Sequence, residues 1–344
     1  MDSTIDSSLL DHSLSSFTKS AIAEAFWGSH HLQSFRAVDT NFDCFWAYYS
    51  KKCNHALHDG GRHVAARTHR DIIDVVRQLK LGANWADIRR SLRPKLTIPH
   101  ANEEELLENS IDLAANLLLM CDCGSFSHGF SGRMELKWRE GPLGEFLTNY
   151  FGEEPVLDSD RVKLDKNFIA RNIVRIGGVQ IIWTDNLLDH LRLTDDDKRV
   201  HIFHHASFLE HQRQSLLPEG LAAETLQTLA LLFPSTNRET RKWVSRLPAL
   251  DQRVTRCGRL KTELRRIEKF RFWRDRLVML KQVFDEAQPN TLTQWWYDRR
   301  NGVQWYTFWV AVLVLVLTIL FGLVQSIEGA LQVYVAFKAL HGPS

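Results

Sequence analysis

Residues 294–329 read QWWYDRRNGVQWYTFWVAVLVLVLTILFGLVQSIEG. Within them, Trp305 to Val324 is a run of twenty residues without a charge or a proline, and thirteen of the twenty are Leu, Ile, Val or Phe. As a helix the run would be roughly 30 Å long, the thickness of the hydrocarbon core of a bilayer. At about −0.3 to −0.6 kcal/mol for each of those residues, insertion is favoured by roughly 4–8 kcal/mol. A surface helix of a water-soluble protein would carry a polar face at 3.6-residue spacing, and none is present. Length and composition therefore predict a transmembrane helix over 305–324.

The flanks agree. Trp295, Trp296, Tyr297, Trp305, Tyr306 and Trp309 crowd the N-terminal side, where amphipathic rings settle at headgroup level. Thr291 and Gln294 match a capping box after Pro289, so 291–304 reads as an interfacial segment. Gly322, Ser326 and Ala330 recur every four residues and could let a second copy of the helix approach, so a homodimer through this face is expected. Arg299 and Arg300 precede the span, whereas Gln325, Glu328 and Gln332 follow it with Lys338 and His341. That bias predicts a cytosolic N-terminal side. The short stretch 325–344 reads as a tail, which predicts a single-pass, tail-anchored protein inserted after synthesis. The endoplasmic reticulum is expected ahead of the outer mitochondrial membrane, because the apolar run suits the thinner bilayer.

Hydrophobic residues make up 44% and charged residues 24% of the 344-residue chain, so the rest is globular and long enough to bury a core. A net charge of +2 suggests no polyanionic partner from composition alone. Five cysteines, Cys44, Cys53, Cys121, Cys123 and Cys257, are too scattered for a disulfide scaffold and read as reduced thiols. The opening MDSTIDSSLLDHSLSSF is acidic and lacks a long apolar core, so no secretory or mitochondrial leader is read there. Residues 1–35 are expected to be a polar, flexible tail.

Residues 36–290 read as a helix-rich cytosolic body with a candidate sub-boundary near 155. Apolar spacing predicts helices at 68–80, at 85–92 with Asn84 as cap, at 103–120, at 220–233 and at 237–247. Alternation predicts strands at 133–138, 179–183 and 199–204. Leu260, Leu264, Ile267, Phe270, Trp273, Leu277, Leu280 and Phe284 predict one amphipathic helix of about eight turns from Arg259 to Ala287. The fold class is mainly α with a small β-sheet, an α+β body followed by one transmembrane helix.

The densest chemical constellation is DHLRLTDDDKRVHIFHHASFLEHQ, residues 189–212. Imidazole and carboxylate suit zinc or another divalent metal, and Asp189, His201, His205 and His211 are the candidate ligands. The spacing matches no known ligand motif. If the strand ran on, His201 and His205 would share a face and His204 would take the other, so hydrogen-bonded structural histidines are the favoured reading. Cys44 and Cys53 are too far apart in sequence to start a zinc site with His55, His58 and His63. Helices 68–80 and 85–92 resemble a helix-turn-helix with Arg89, Arg90 and Arg93, but such pairs are common packing, and no nucleic-acid partner is expected. The basic run 253–276 reads as a solvated face, with Arg265, Arg266 and Lys269 as candidate contacts to anionic lipid headgroups. No nucleophile elbow, phosphate loop or dinucleotide fingerprint occurs, so no cofactor is expected and enzymatic activity is left open.

The blocks IIWTDNLLDHLRL, VHIFHHASFLE, LPEGLAAETLQTLALLFP, FWRDRLVMLKQVFDEA and QWWYDRRNGVQWYTFWVAVLVLVLT resemble a family of uncharacterised filamentous-fungal proteins. A weaker match extends to NSIDLAANLLLM. The resemblance implies a fungal origin and one C-terminal membrane helix, and it brings no catalytic residues. Two functions are expected in turn. The first is a membrane-anchored, cytosol-facing interaction or scaffold protein that uses the lipid bilayer and a protein partner. The alternative is a membrane-associated accessory enzyme, metal-dependent and serving natural-product biosynthesis, built on 189–211.

Overall fold

The computed structural model describes residues 5–10, 14–28, 42–58, 61–96, 102–124, 133–157, 162–212, 215–287, 302–340 and 342. It divides into two units, Met1–Glu286 and Ala287–Ser344. The first unit is mainly α with a small three-stranded sheet. It shows no division near 155.

The N-terminal half of the body is helical. The region expected to be a flexible tail contains α1, Ser16–Trp27, which buries Ile22, Phe26 and Trp27. The Ser15 hydroxyl caps it by accepting from Thr18 N. Nine serines and three aspartates are scattered through residues 1–35, yet Ile22, Ala23 and Phe26 form a short apolar face that can leave water only by packing. The next helix, α2 (Asp43–Ala56), buries Phe45, Tyr48, Tyr49 and Cys53. A capping box opens α3 (His69–Lys80), with Thr68 and Asp71 satisfying each other's backbone N–H. Asn84 occupies the N-cap of α4 (Trp85–Leu92), but its side chain makes no capping bond. Three glutamates start α5 (Glu103–Leu119) and suit the positive end of its dipole. Arg89 and Arg93 reach back to Glu104 and Glu103 at 3.6 and 3.7 Å. Of the arginines that suggested a helix-turn-helix, Arg89 and Arg93 therefore reach α5, while Arg90 pairs with Asp87 on its own helix.

The other half carries α6 (Leu143–Phe151), α7 (Ala170–Arg175) and the sheet: β1 (Gln180–Thr184), β2 (Leu193–Thr194) and β3 (Arg199–Phe203). Strand β3 is central, parallel to β1 and antiparallel to β2. The three consecutive aspartates, Asp195, Asp196 and Asp197, make the β2–β3 turn with φ of 57°, 50° and 62°, a left-handed conformation that Asp tolerates better than most residues. No strand forms at 133–138. Leu136 alone bridges to Cys123. Helices α8 (Ala206–Glu210), α9 (Leu221–Leu232) and α10 (Arg238–Val244) follow.

The single long helix expected over 259–287 is also absent. Short 3₁₀ turns occupy Thr262–Leu264 and Ile267–Lys269, and only α11, Arg274–Glu286, is α-helical. The backbone explains why. Leu164 N donates to Arg265 O and Ile267 N to Val162 O at 2.8 and 3.1 Å. The buried Glu224 carboxylate takes the N–H groups of Arg271 and Trp273, both at 2.8 Å. Those N–H groups cannot then complete a helical ladder.

In the second unit, α12 (Gly302–Leu340) carries a span, Trp305–Leu340, whose most apolar 18 residues have a mean hydropathy of 2.7 with none of them buried. It is long and apolar enough to cross a membrane. It continues past Val324, so residues 325–340 are helix and not a loose tail, and its length no longer favours a thin bilayer. Trp305, Tyr306 and Trp309 lie near its start, and the Thr307 and Thr318 hydroxyls donate to the carbonyls of Val303 and Val314. Gly322, Ser326 and Ala330 lie on it, and nothing stands within 4 Å of the Gly322 Cβ position. Trp295, Trp296, Tyr297, Arg299 and Arg300 fall outside the described residues.

The revised C-terminal segment makes a paired prediction. Leu277 is fully buried while Leu264 is 39% exposed. Leu277→Ala should cost about 2–5 kcal/mol in urea unfolding, and Leu264→Ala no more than about 0.5 kcal/mol. Equal losses at both would restore the continuous helix.

A candidate site at the ends of two parallel strands

The parallel register pairs Thr184 with Phe203. The residues that follow, Asp185 after β1 and His204 and His205 after β3, therefore leave the sheet side by side. The carboxyl ends of parallel strands are where open α/β sheets commonly place ligands. His205 Nε2 lies 2.8 Å from Asp185 Oδ1 and His204 Nε2 lies 3.3 Å from the same oxygen. The two rings stack with centroids 4.1 Å apart. His205 is 2% exposed, Asp185 28%, so the carboxylate is the cluster's opening to water. Lys51 Nζ stands 3.8 Å from Asp185 Oδ2 on an exposed side chain, and a pair so exposed contributes little.

The protons can be placed. Asp251 N donates to His204 Nδ1 at 3.4 Å, so that nitrogen is an acceptor and the ring proton sits on Nε2, directed at Asp185. Asp251 is itself held, its carboxylate accepting from Ser207 N and Arg253 N at 2.7 and 2.9 Å. Burial pushes His205 down to about 4, only partly offset by its bond to Asp185. Burial also acts on Asp185, raising its pKa, but hydrogen bonds from His204 and His205 outweigh it and hold the carboxyl well below its usual range. The result is an ionised carboxylate solvated by imidazole N–H groups.

The same three residues offer two imidazole nitrogens and a carboxylate oxygen, all within 4.8 Å of one another. That donor set could suit zinc or a metal with open coordination positions. A ligating imidazole normally donates its second N–H to a carboxylate or carbonyl. Here His204 Nδ1 faces the Asp251 N–H instead, and metal on Nε2 would set two N–H groups against each other. The residues fit a hydrogen-bonded cluster better than a metal centre.

Of the four ligands expected from sequence, only His205 belongs to this cluster. His201 stays on β3, its Nε2 3.1 Å from Thr194 Oγ1. His211 Nδ1 donates to Ser207 O at 2.7 Å. Asp189 is buried, accepting from Met134 N and Asn186 Nδ2 and pairing with Arg192 at 3.1 Å. His190 is buried against Thr228 Oγ1 at 2.7 Å, and burial pushes it down to about 3. Asp185 and His204 escaped the sequence reading because alternation was carried past Phe203, where the strand ends. Polar residues immediately after two neighbouring strands were the available signal.

Other sequence candidates disperse. Among the described residues the cysteines are free thiols. Cys44 points to Ala249 O and Cys53 is buried near Tyr49, so they form no common site. In the basic run, Arg265 donates to Asp165 O at 3.2 Å, Arg266 bridges to Lys163 through the backbone and Lys269 is exposed.

Histidines kept neutral by burial give a signed pH dependence. An unfolded His titrates near 6.5, whereas His205 and His190 titrate at about 4 and 3 when folded. Between those limits the unfolded chain binds more protons, so stability is complete above about pH 6.5 and falls as the solution is acidified. Urea unfolding at pH 7.5 and 5 should differ by a few kcal/mol, and His190→Gln should flatten the difference. A wild-type stability that rises on acidification would contradict the burial of both rings.

Compared with known proteins, the chain stands without a match: no protein-family model, no curated protein and no solved structure matches it.

Proposed function

We propose that the protein is a membrane-anchored interaction or scaffold protein whose body faces the cytosol. The observation that supports this is the helix Trp305–Leu340, 36 residues long, whose most apolar 18-residue stretch has a mean hydropathy of 2.7 with none of that stretch buried. Water tolerates few contiguous apolar surfaces of that size, and a bilayer covers them. The sidedness rests on Arg299 and Arg300 before the span against Lys338 after it. The resemblance to filamentous-fungal proteins, carried by blocks of the body as well as by the C-terminal one, belongs to this proposal.

A metal-dependent accessory enzyme is the second reading, and the convergence of Asp185, His204 and His205 is the observation in its favour. The donor-to-donor conflict at His204 Nδ1 weighs against it. Metal analysis of the purified protein should find no stoichiometric zinc, iron or manganese. Bound metal that disappears in His204→Ala and His205→Ala would instead promote the enzyme. For the topology, an Asn-x-Thr glycosylation tag placed after Ser344 should acquire a glycan in the endoplasmic reticulum, while the same tag near Ser8 should not. A glycan on the N-terminal tag alone would reverse the orientation.

A further inference from the structure

A cleft of about 590 Å³ opens in the body between α7 and α10. Arg171 and Arg175 of α7 form one wall, and Arg238, Lys242 and Arg246 form the other. The last three recur every four residues and so extend along one face of α10 and its continuation. Among the described residues none of the three has an acidic partner. Among the described residues that line the cleft Glu239 is the one carboxylate, and it lies 3.0 Å from Arg171 Nε and 3.2 Å from Arg175. Two guanidiniums thus share one exposed carboxylate. Five cations against one carboxylate exceed the +2 of the whole chain, so the remainder of the protein is on balance acidic. Positive charge is thus concentrated in one concave place, where low-dielectric walls focus the field.

Trp243 closes the cleft with a half-buried ring. Phe233 and Trp183 hold it, with centroids 6.3 Å away in each case. Arg171 also donates to the Glu239 carbonyl at 3.0 Å, which fixes α7 against α10. A merely solvated basic face would be convex, or balanced by acids as on α4. This one is concave, built from two elements and backed by a fixed aromatic wall. The volume suits a small ligand, and guanidinium forks match phosphate oxygens better than isolated carboxylates scattered along a peptide.

We propose that the cleft between α7 and α10 binds a small anion carrying two or more phosphate groups. A multiply phosphorylated lipid headgroup and a free polyphosphate share that chemistry. This proposal does not depend on the scaffold reading, because the cleft lies wholly within the body.

The test uses the full chain in nanodiscs of neutral lipid. Isothermal titration is run with inositol hexakisphosphate, with soluble dioctanoyl phosphatidylinositol bisphosphate, and with dioctanoyl phosphatidylserine as a charge control. Saturable binding of the phosphorylated probes, weakening as salt rises, is the expected result. Binding of the lipid probe alone assigns a headgroup, and binding of inositol hexakisphosphate alone assigns a free polyphosphate. The combined variant Arg238→Ala, Lys242→Ala, Arg246→Ala should lower affinity about ten- to hundredfold. These side chains are exposed, and the single variant Lys242→Glu gives a milder second check. Lys261→Ala, Arg266→Ala, Lys269→Ala removes equal charge from the basic run and should leave affinity unchanged. No saturable binding, equal binding of phosphatidylserine, or loss only in the Lys261, Arg266 and Lys269 variant would overturn the proposal.

Discussion

A single buried carboxylate organises the second half of the body. Glu224 on α9 accepts the backbone N–H groups of Arg271 and Trp273, and burial raises its pKa although these bonds oppose the shift. An ionised group in that position without donors would cost several kcal/mol. With them, it turns the chain before α11 and seats Trp273, whose indole N–H reaches Thr225 Oγ1 at 2.9 Å. The ring then packs against His190 at 4.9 Å and under Arg276 at 5.2 Å. Arg276 in turn donates to the carbonyls of Leu188 and His190 at 2.7 and 2.6 Å. His190 Nδ1 accepts from Phe203 N at the end of β3. A continuous path of hydrogen bonds and ring contacts therefore runs from α9 through Trp273 and His190 to the end of β3, just before His204 and His205.

That path also explains which parts of the fold were legible in the sequence. Helices α5 and α9 and strands β1 and β3 depend on their own periodicity, and their patterns are visible without tertiary context. The segment 259–273 has a helical pattern too, and Ile267, Phe270 and Trp273 are indeed buried. Its conformation is decided by a carboxylate 47 residues away, which no local window contains. Helix α1 was obscured for the opposite reason. Its polar neighbours conceal the short apolar face of Ile22, Ala23 and Phe26.

The candidate site was half legible. Histidine and aspartate density drew attention to 189–212, but density does not show where a strand ends. Once β3 stops at Phe203, the parity rule for faces lapses, and His204 and His205 can turn to the same partner. Asp185 belongs to the other strand and joins them only through the parallel register. The basic cleft was less visible still. Its cations come from two short helices about seventy residues apart, and the nearly neutral composition averages them away. Arg89 and Arg93, by contrast, looked functional in sequence and prove to be spent on α5.

The length of α12 has a geometric consequence. Thirty-six apolar-span residues cover about 54 Å at 1.5 Å each. Transmembrane helices tilt by at most about 40°, which still leaves roughly 41 Å along the membrane normal, against a hydrocarbon core of about 30 Å. Tilt alone cannot hide the excess. At least a couple of helical turns must stand clear of the acyl chains, and Gln325, Glu328, Gln332 and Lys338 are the residues suited to that wetter zone. A continuous helix does not fold back at the surface as a loose tail would. It works as a stiff spacer, so whatever its far end meets is met at a set height above the lipid and with little freedom of approach.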